Sequence, residues 1–512
     1  MKKIIRLVFS RLGAAALTIL LELAIVLTVL FRLSAYSVYF LIFLIAVNIV
    51  ALITVVNDDG NPEYKLTWMG VILLAPFLGL VLYILFRRHK MSKREIRRLG
   101  EVRREICTDA LDYDDFSSLG KQSREAAGKA MSILSIDETA AVYTSTASEY
   151  YSNGRDMFDD MLRDLSLAKR YIFLEYFILA DGKMWQSIFD ILKAKVKEGV
   201  EVRVIYDDIG SMGSVPRGFD RALKDEGIAC MRFAPVSSDL RNMRRNNNRD
   251  HRKLCIVDGT VGYTGGINIA DEYIGEKMRF GVWKDGGVRL SGDAVLGMVR
   301  LFLEIWELSR KGKSCTCKYF DTGSDVPPDG GFYIPFGSGP YPMYKNHTGK
   351  RAILDIVNQA QSYVYIMTPY LIIDYDLTEA LRGAVCRGVD VRIITPGVPD
   401  KPLVKIMTKG AYPYLISGGV EIHEFEPGFL HSKALVCDDK YALVGTINLD
   451  YRSLVHHFED AVWMYSTPTV LDIRRDFMET LSHSHRMTEE ESRPGLLIWI
   501  VRCLIRLFAP LL

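Results

Sequence analysis

The sequence predicts a chain of two similar α/β halves, each a mixed sheet flanked by helices, facing one another across a cleft and preceded by a transmembrane helical region. Three observations carry this. Apolar stretches of spanning length crowd the first 90 of 512 residues. Strand-like and helix-like segments then alternate in two matching series. Finally, the pattern His-x-Lys-x4-Asp occurs twice, 180 residues apart, at His251–Asp258 and His431–Asp438. The implied division is 1–90 membrane region, 91–139 basic linker, 140–335 first half, 336–490 second half and 491–512 amphipathic tail.

In the membrane region, Gly13–Phe31, Val38–Val56 and Leu66–Phe86 are each about the length that crosses a bilayer. The apolar stretches recur and no small-residue cleavage site follows the first, which argues against a removable signal. The basic run Arg87, Arg88, Lys90, Lys93, Arg94, Arg97, Arg98 places the large domain on the cytoplasmic side, while Asp58, Asp59 and Glu63 suit the outside. Lys2, Lys3, Arg6 and Arg11 also favour the cytoplasm, and three spans cannot satisfy both basic clusters. Two firm spans, 38–56 and 66–86, are therefore expected, with 13–31, interrupted by Glu22, interfacial or loosely inserted; Pro76, inside the last stretch, is a residue a membrane helix can tolerate. Met91–Arg104 reads as a basic helix along anionic headgroups, and Leu496–Leu512, with Arg502 and Arg506 four apart, as an amphipathic interfacial helix.

In the α/β region, Lys169–Tyr176 reads as a buried strand matched by Gln361–Tyr370, and Gly199–Tyr206 is matched by Gly388–Thr395. A helical stretch lies between the members of each series, as a mainly parallel arrangement requires. The duplicated motif falls on a further strand. Period-2 alternation puts His251 and Lys253 on one face and Arg252 and Leu254 on the other. Asp258-Gly259 is a hairpin signal, and Thr260–Thr264 returns as the partner strand. Each copy ends in a small-residue pair and an Asn: Gly265-Gly266-Ile-Asn268 and Gly445-Thr446-Ile-Asn448.

This pattern suits phosphoryl chemistry. Displacement at phosphorus places the attacking and leaving oxygens on opposite sides of the atom. One imidazole cannot serve both sides, but two facing histidines can, one as nucleophile and one as acid/base. Lys253, Lys433, Asn268 and Asn448 would hold the equatorial oxygens, and no divalent metal or other cofactor is needed. Asp258 and Asp438 complete the motifs and are counted in the candidate catalytic set, although their turn positions also suit fixing the hairpins. An isolated strand histidine is more often structural; duplication with the trailing Asn argues otherwise.

These paired motifs resemble the phospholipase D superfamily, and the surrounding text resembles its bacterial cardiolipin synthase branch over nearly the whole chain. The segments that carry the resemblance are Glu198–Arg203, Tyr206–Ser211, Arg249–Lys253, Pro335–Pro340, Gly428–His431, Asn448–Ser453 and Glu459, 28 residues past His431. The resemblance implies joining of two phosphatidylglycerol molecules through a phosphatidyl-histidine intermediate, with release of glycerol. It assigns His251 as nucleophile and His431 as acid/base, roles that the chemistry alone leaves interchangeable. It makes Glu459 the carboxylate that orients the partner imidazole, with Asp285 its counterpart. The chain departs from the family's usual residues at Gly286-Gly287, His457 and Asp250, outside the six motif residues.

Other readings are weaker. A net charge of +2 gives no global basic excess for nucleic acid, and a nuclease is disfavoured by the apolar anchor as well. Asp207-Asp208 and Cys315-x-Cys317 lack the further ligands a metal site requires. Eight scattered cysteines suit reduced thiols facing the cytosol. Two alternatives remain: a hydrolytic membrane-bound phospholipase D releasing phosphatidic acid, and a lipid-binding scaffold without turnover. The sequence carries no signal for oligomeric state.

Overall fold

The computed structural model describes Ala24, Thr28 and residues 37–58, 61–86, 93–107, 114–137, 139–235, 248–309, 316–320, 326–341, 343–344 and 347–506. The chain divides into two compact units, one comprising Met1–His89, Ser237–Arg244 and Cys503–Leu512, the other Lys90–Val236 and Arg245–Arg502.

In the first unit, helix α1 (Ser37–Val56) is the one described helix long and apolar enough to cross a membrane. The expected second span is not a single helix. It is split into α2 (Pro62–Leu74) and α3 (Pro76–Phe86), with Ala75 between them at φ −137°, ψ 76°. Pro76 has no N–H to continue the ladder, and its ring disfavours helical geometry in the residue before it. Gly79 lets α3 pack against α2, because a Cβ there would fall 2.5 Å from the Val71 carbonyl oxygen. Asn61 caps α2, its side chain accepting from Glu63 N at 2.9 Å. The expected 13–31 segment lies outside the described residues apart from Ala24 and Thr28.

The second unit begins with the segment expected to be a linker, and it is folded. Helix α4 (Lys93–Cys107) buries Leu99, Val102 and Ile106 in the central core. Its basic face is partly used within the protein: Arg103 donates to Glu304 at 2.6 Å and Arg98 to the Glu307 carbonyl at 2.9 Å. Helices α5 (Asp114–Gln122) and α6 (Arg124–Leu134) follow, α6 capped by Ser123. They cover the outer face of the second sheet.

The first sheet comprises β1 (Thr146–Tyr151), β2 (Tyr171–Tyr176), β3 (Glu201–Asp207), β4 (Ala229–Phe233), β5 (Lys253–Val257), β6 (Val261–Gly265) and β8 (Gly287–Gly292). Their order is β1-β8-β6-β5-β2-β3-β4; β2–β3 and β3–β4 pair parallel and the rest antiparallel. Helices α7 (Gly154–Leu167) and α8 (Lys183–Lys197) pack on its outer face, α9 (Phe219–Asp225) precedes β4, and α10 (Val295–Ser309) lies in the central core. The short strand β7 (Val282–Lys284) stands apart from this sheet.

The second sheet repeats the plan with β9 (Phe332–Ser338), β10 (Tyr363–Met367), β12 (Asp390–Pro396), β13 (Glu421–Phe425), β15 (Ala434–Cys437), β16 (Tyr441–Gly445), β18 (Glu459–Tyr465) and β19 (Ser484–Arg486). Read from β9, the order β9-β18-β16-β15-β10-β12-β13 matches the first sheet strand for strand, and β19 adds an edge; the two-residue strands β11 (Leu371–Ile372) and β17 (Leu449–Asp450) pair with each other apart from it. β9 therefore moves the boundary between the halves: the expected division at 335/336 cuts through a strand that pairs with β18 over its whole length. Helices α11 (Thr348–Gln359), α12 (Tyr375–Cys386) and α13 (Pro402–Ser417) contribute to the outer core of this half, and α14 (Pro468–Ser482) to the central one.

One apolar core lies between the sheets, where Phe173, Leu254 and Ile256 of the first meet a layer containing Met367, Val436 and Val462 of the second. Central strands such as β2 are buried along their full length, so they read as continuous apolar runs and not as alternating ones. After α15 (Glu489–Ser492) comes α16 (Leu496–Arg506), which exposes Leu496, Leu497 and Trp499, as an amphipathic tail should.

Candidate active site

The two motif histidines stand at matching places, just before β5 and β15. Each is tied to the opposite half by its backbone. His251 N donates to Phe458 O at 2.8 Å, and His431 N donates to Lys284 O at 2.6 Å. The acceptors immediately precede Glu459 and Asp285 in sequence, so each exchange brings a carboxylate from one half beneath the imidazole of the other. His251 Nδ1 lies 2.8 Å from Glu459 Oε2, and His431 Nδ1 lies 2.6 Å from Asp285 Oδ2. Strand β14 (Gly428–Leu430) pairs parallel with β7 to carry one exchange, and an Asp250–Phe458 bridge carries the other.

Both carboxylates are fully buried and both imidazoles nearly so. With Nδ1–H donated to a carboxylate, the lone pair of each neutral ring resides on Nε2. Lys253 Nζ donates to His251 O at 2.8 Å and Lys433 Nζ donates to His431 O, so each lysine lies on its histidine's side of the chain, as the alternation predicts. The halves converge electrostatically. Burial, then Lys253, Lys433 and His431, hold the His251 pKa well below the usual imidazole value. Burial and Lys433 push His431 down to about 4 against the pull of Asp285, with Lys253 adding from across the seam. Burial also lowers Lys253 to about 8 and Lys433 to about 7. At neutral pH both rings are uncharged.

The carboxylates differ. Burial raises Glu459 to about 7, opposed by Lys253 and by hydrogen bonds from Ser453 (2.6 Å) and Thr446 (2.5 Å). Asp285 stays below the ordinary carboxylate value: burial opposes this, but His431, Lys433 and the Gly286 amide, 2.8 Å away, prevail. Gly266 occupies the place of Thr446, and a Cβ there would meet Asp285 Oδ1 at 1.9 Å. The shorter acid thus comes with a glycine and the longer one with a hydroxyl. Asp460 adds a cross-seam tie, accepting from Lys253 N at 3.3 Å and Thr264 Oγ1 at 2.5 Å.

Asp258 and Asp438, counted in the candidate set, occupy the turn positions noted for them in the sequence. Each sits at a left-handed turn position (φ 57° and 54°) and accepts three backbone N–H groups: Lys169, Arg170 and Tyr171 for Asp258, Gln361, Ser362 and Tyr363 for Asp438. They lie five residues beyond the lysines, about 17 Å along an extended strand, and anchor the far ends of the hairpins. Asn268 is committed within the protein, Oδ1 accepting from Ile178 N at 3.0 Å and Nδ2 donating to Tyr273 Oη at 2.7 Å. Asn448 is not equivalent: its Oδ1 is buried without a hydrogen-bond partner. Asp207, weighed as a metal ligand, instead holds the Arg249 guanidinium at 2.7 Å and accepts from Asp250 N, bracing the approach to His251. Cys315 lies outside the described residues, and Cys317 opens a short helical turn, Cys317–Tyr319.

Several site residues carry weaker sequence signals. Thr446 lies in the small-residue pair and Ser453 in a quoted family segment, but nothing local marks Asp460. His457 is visible only as a departure from the family pattern. Its ring centroid lies 5.7 Å from that of His251 and its Nδ1 3.9 Å from Glu459 Oε1. Among the described residues, His251, His457 and Glu459 form the one group whose donor atoms, all within 4.8 Å of one another, could hold a metal.

Two lobes sharing a pair of carboxylate-oriented imidazoles, flanked by two lysines, define a phospholipase D-type phosphodiester enzyme. Residues 161–280 and 353–481 match the family described as "Cardiolipin synthase, PLD-like domain", and 46–88 match "Phospholipase D-nuclease N-terminal". The chain is 30% identical to a cardiolipin synthase of Halalkalibacterium halodurans over 94% of either chain. It is 32% identical to cardiolipin synthase 2 of Bacillus cereus over 89% of this chain and 88% of that one. An uncharacterized protein of Streptococcus mutans is 39% identical over 89% of this chain and 98% of its own length. The crystal structure of phosphatidylserine synthase from Haemophilus influenzae shares the fold, with TM-score 0.55 at 14% identity, covering 75% of this chain and 98% of that one. The chain belongs to the bacterial cardiolipin synthase family of the phospholipase D superfamily.

Proposed function

We propose that the protein joins two phosphatidylglycerol molecules into cardiolipin at the membrane, releasing glycerol. His251 Nε2 attacks the phosphorus of the donor lipid and the bond to the glycerol headgroup breaks. His431 supplies the proton that the departing alkoxide needs. Its resting ring is neutral and takes up a proton from solvent on Nε2 as the anionic phosphodiester arrives between Lys253 and Lys433, which favours the imidazolium; the acceptor's proton replaces the one given to glycerol. The hydroxyl of a second phosphatidylglycerol then gives its proton to His431 and attacks phosphorus. The N–P bond breaks, and cardiolipin leaves with both rings restored. Lys253, Lys433 and Asn448 steady the equatorial oxygens. Glu459 and Asp285 fix the tautomers.

The supporting observation is the crossed pair of Nδ1–carboxylate contacts at 2.8 and 2.6 Å, which leaves Nε2 of both rings for chemistry. The catalytic unit is assigned to the cytoplasmic face of a multi-pass protein on the basic run 87–98; reagent labelling of introduced cysteines on each face tests that. The activity test is purified protein with phosphatidylglycerol in detergent, products read by mass spectrometry. Cardiolipin with equimolar glycerol is expected. Phosphatidic acid alone would identify a hydrolase, and no product with intact lipid binding would identify a scaffold.

A further inference from the structure

His457 is a third imidazole in a site whose chemistry needs two. It is 93% buried, its Nε2 has no hydrogen-bond partner, and it is inclined at 42° to the His251 ring. An unpaired buried ring nitrogen costs free energy unless something binds it. Nothing in the transfer reaction uses it. Its neighbours are the nucleophile, His251, and Glu459, the carboxylate that sets the nucleophile's tautomer.

We propose that His251 Nδ1, His457 and Glu459 form an inhibitory site for one divalent transition ion of the zinc type. Two nitrogens and a carboxylate oxygen, with the fourth position open, suit tetrahedral Zn²⁺. Donors bound at about 2.0–2.1 Å lie roughly 3.3 Å apart, so the present cluster, within 4.8 Å, must draw together by about an ångström or somewhat more. The contraction falls on His457, whose Nδ1 stands 3.9 Å from Glu459 Oε1, because His251 Nδ1 already lies 2.8 Å from Glu459 Oε2.

The inhibition follows from where the proton sits. In the metal-free site the His251 proton is on Nδ1, shared with Glu459, and the lone pair is on Nε2. A metal on Nδ1 takes the lone pair there, so the neutral ring must carry its proton on Nε2. The nitrogen that attacks phosphorus then has no electrons to offer. No net proton is lost from the ring, no bond to lipid forms, and removal of the ion restores the original tautomer. This rests on His251 being the nucleophile, but metal binding is read independently of activity.

The test uses full-length detergent-solubilised protein stripped with chelator, titrated with Co²⁺ as a spectroscopic probe and then with Zn²⁺. Wild type should bind one Co²⁺ per chain with a tetrahedral visible spectrum, displaced by Zn²⁺. One equivalent of Zn²⁺ should abolish cardiolipin formation and chelator should restore it. His457→Asn and His457→Gln should each weaken Co²⁺ binding at least about 10-fold, the lower end of the loss when even an outer-sphere partner is removed, and raise the Zn²⁺ needed for inhibition by the same factor. Each variant's activity is compared with and without metal, so an altered basal rate does not confuse the reading. Absence of stoichiometric Co²⁺ binding, or an unchanged spectrum in both folded variants, overturns the site. Full activity with one Zn²⁺ bound overturns the inhibition. A metal-free wild type that makes no cardiolipin defeats the functional reading instead, while the Co²⁺ result stands.

Discussion

The two halves solve one problem with different parts. Both must hold an imidazole by Nδ1 against a buried carboxylate reaching in from the other side. The second half supplies a glutamate, whose extra methylene leaves both oxygens to be met by the hydroxyls of Ser453 and Thr446. The first half supplies an aspartate, backed by a main-chain amide and given room by Gly266. Hydroxyls and burial leave Glu459 titrating at about 7, whereas Asp285 remains ionised well into acid. The comparison teaches that a duplicated active site conserves the position of a charge, while the acid's length and its neighbours are free to trade against each other.

The largest effects should come from removing either ring. His251→Ala and His431→Ala should each lower transfer by at least about 10⁴-fold, as for other nucleophile and base deletions, read as cardiolipin formed per unit time. The pair is sharpened by intact-mass analysis: His431→Ala should accumulate a phosphatidyl adduct on His251, provided that loss of this ring slows breakdown of the adduct more than its formation. An adduct on His431 in the reverse variant would exchange the roles.

Next comes the glycine. Gly266→Thr copies the residue of the second half into the first, but its Cβ would occupy the space of Asp285 Oδ1. Displacing a positioning group by about an ångström costs on the order of 100-fold. Thr446→Gly, which only removes a hydroxyl, should cost much less. Equal losses would show that the two supports are interchangeable.

The pH profile separates the two acids. A raised carboxyl pKa means the group is protonated on the acid side, so transfer should fall tenfold per unit below about pH 7 as Glu459 gains a proton and stops accepting from His251. The alkaline limb should follow loss of the Lys433 and Lys253 protons, at about 7 and 8. These coupled groups yield apparent values belonging to the set. Ser453→Ala removes a donor that favours the ionised carboxylate, worth about one pH unit for a bond to a charged group. The acid limb should move upward. An unmoved limb would assign it elsewhere.

The smallest effect on chemistry is expected at the turn aspartates. Asp258→Ala and Asp438→Ala should reduce stability by about 1–3 kcal/mol through the orphaned amides, seen as a lower Tm, while the folded fraction retains its rate within a few-fold.

Much of this was legible in the sequence because the motif repeats with a period that strands impose: His and Lys two apart must share a face, and both copies do. Glu459 and Asp285 were legible through family resemblance, and their crossing between halves follows from the residue before each pairing with the other lobe, Lys284 in β7 with β14 and Phe458 in a single bridge to Asp250. The contrast of Gly266 with Thr446 was hidden, because it takes effect through residues distant in sequence. Asp258 and Asp438 belong to the pattern for a reason of folding, three amides gathered at a tight turn, which a motif alone does not separate from catalysis. The boundary at 335 failed because β9 joins the later sheet while following the helix of the earlier one. The break at Pro76 was hidden because a membrane helix can tolerate a proline, and composition alone carries no measure of how far a chain turns.

Because each imidazole is sutured to the opposite lobe through both its amide and its ring, the lobes cannot swing apart like a clam around incoming lipid without dismantling the catalyst. Lipid must therefore enter and leave with the two lobes held together, and opening of this seam should not accompany turnover.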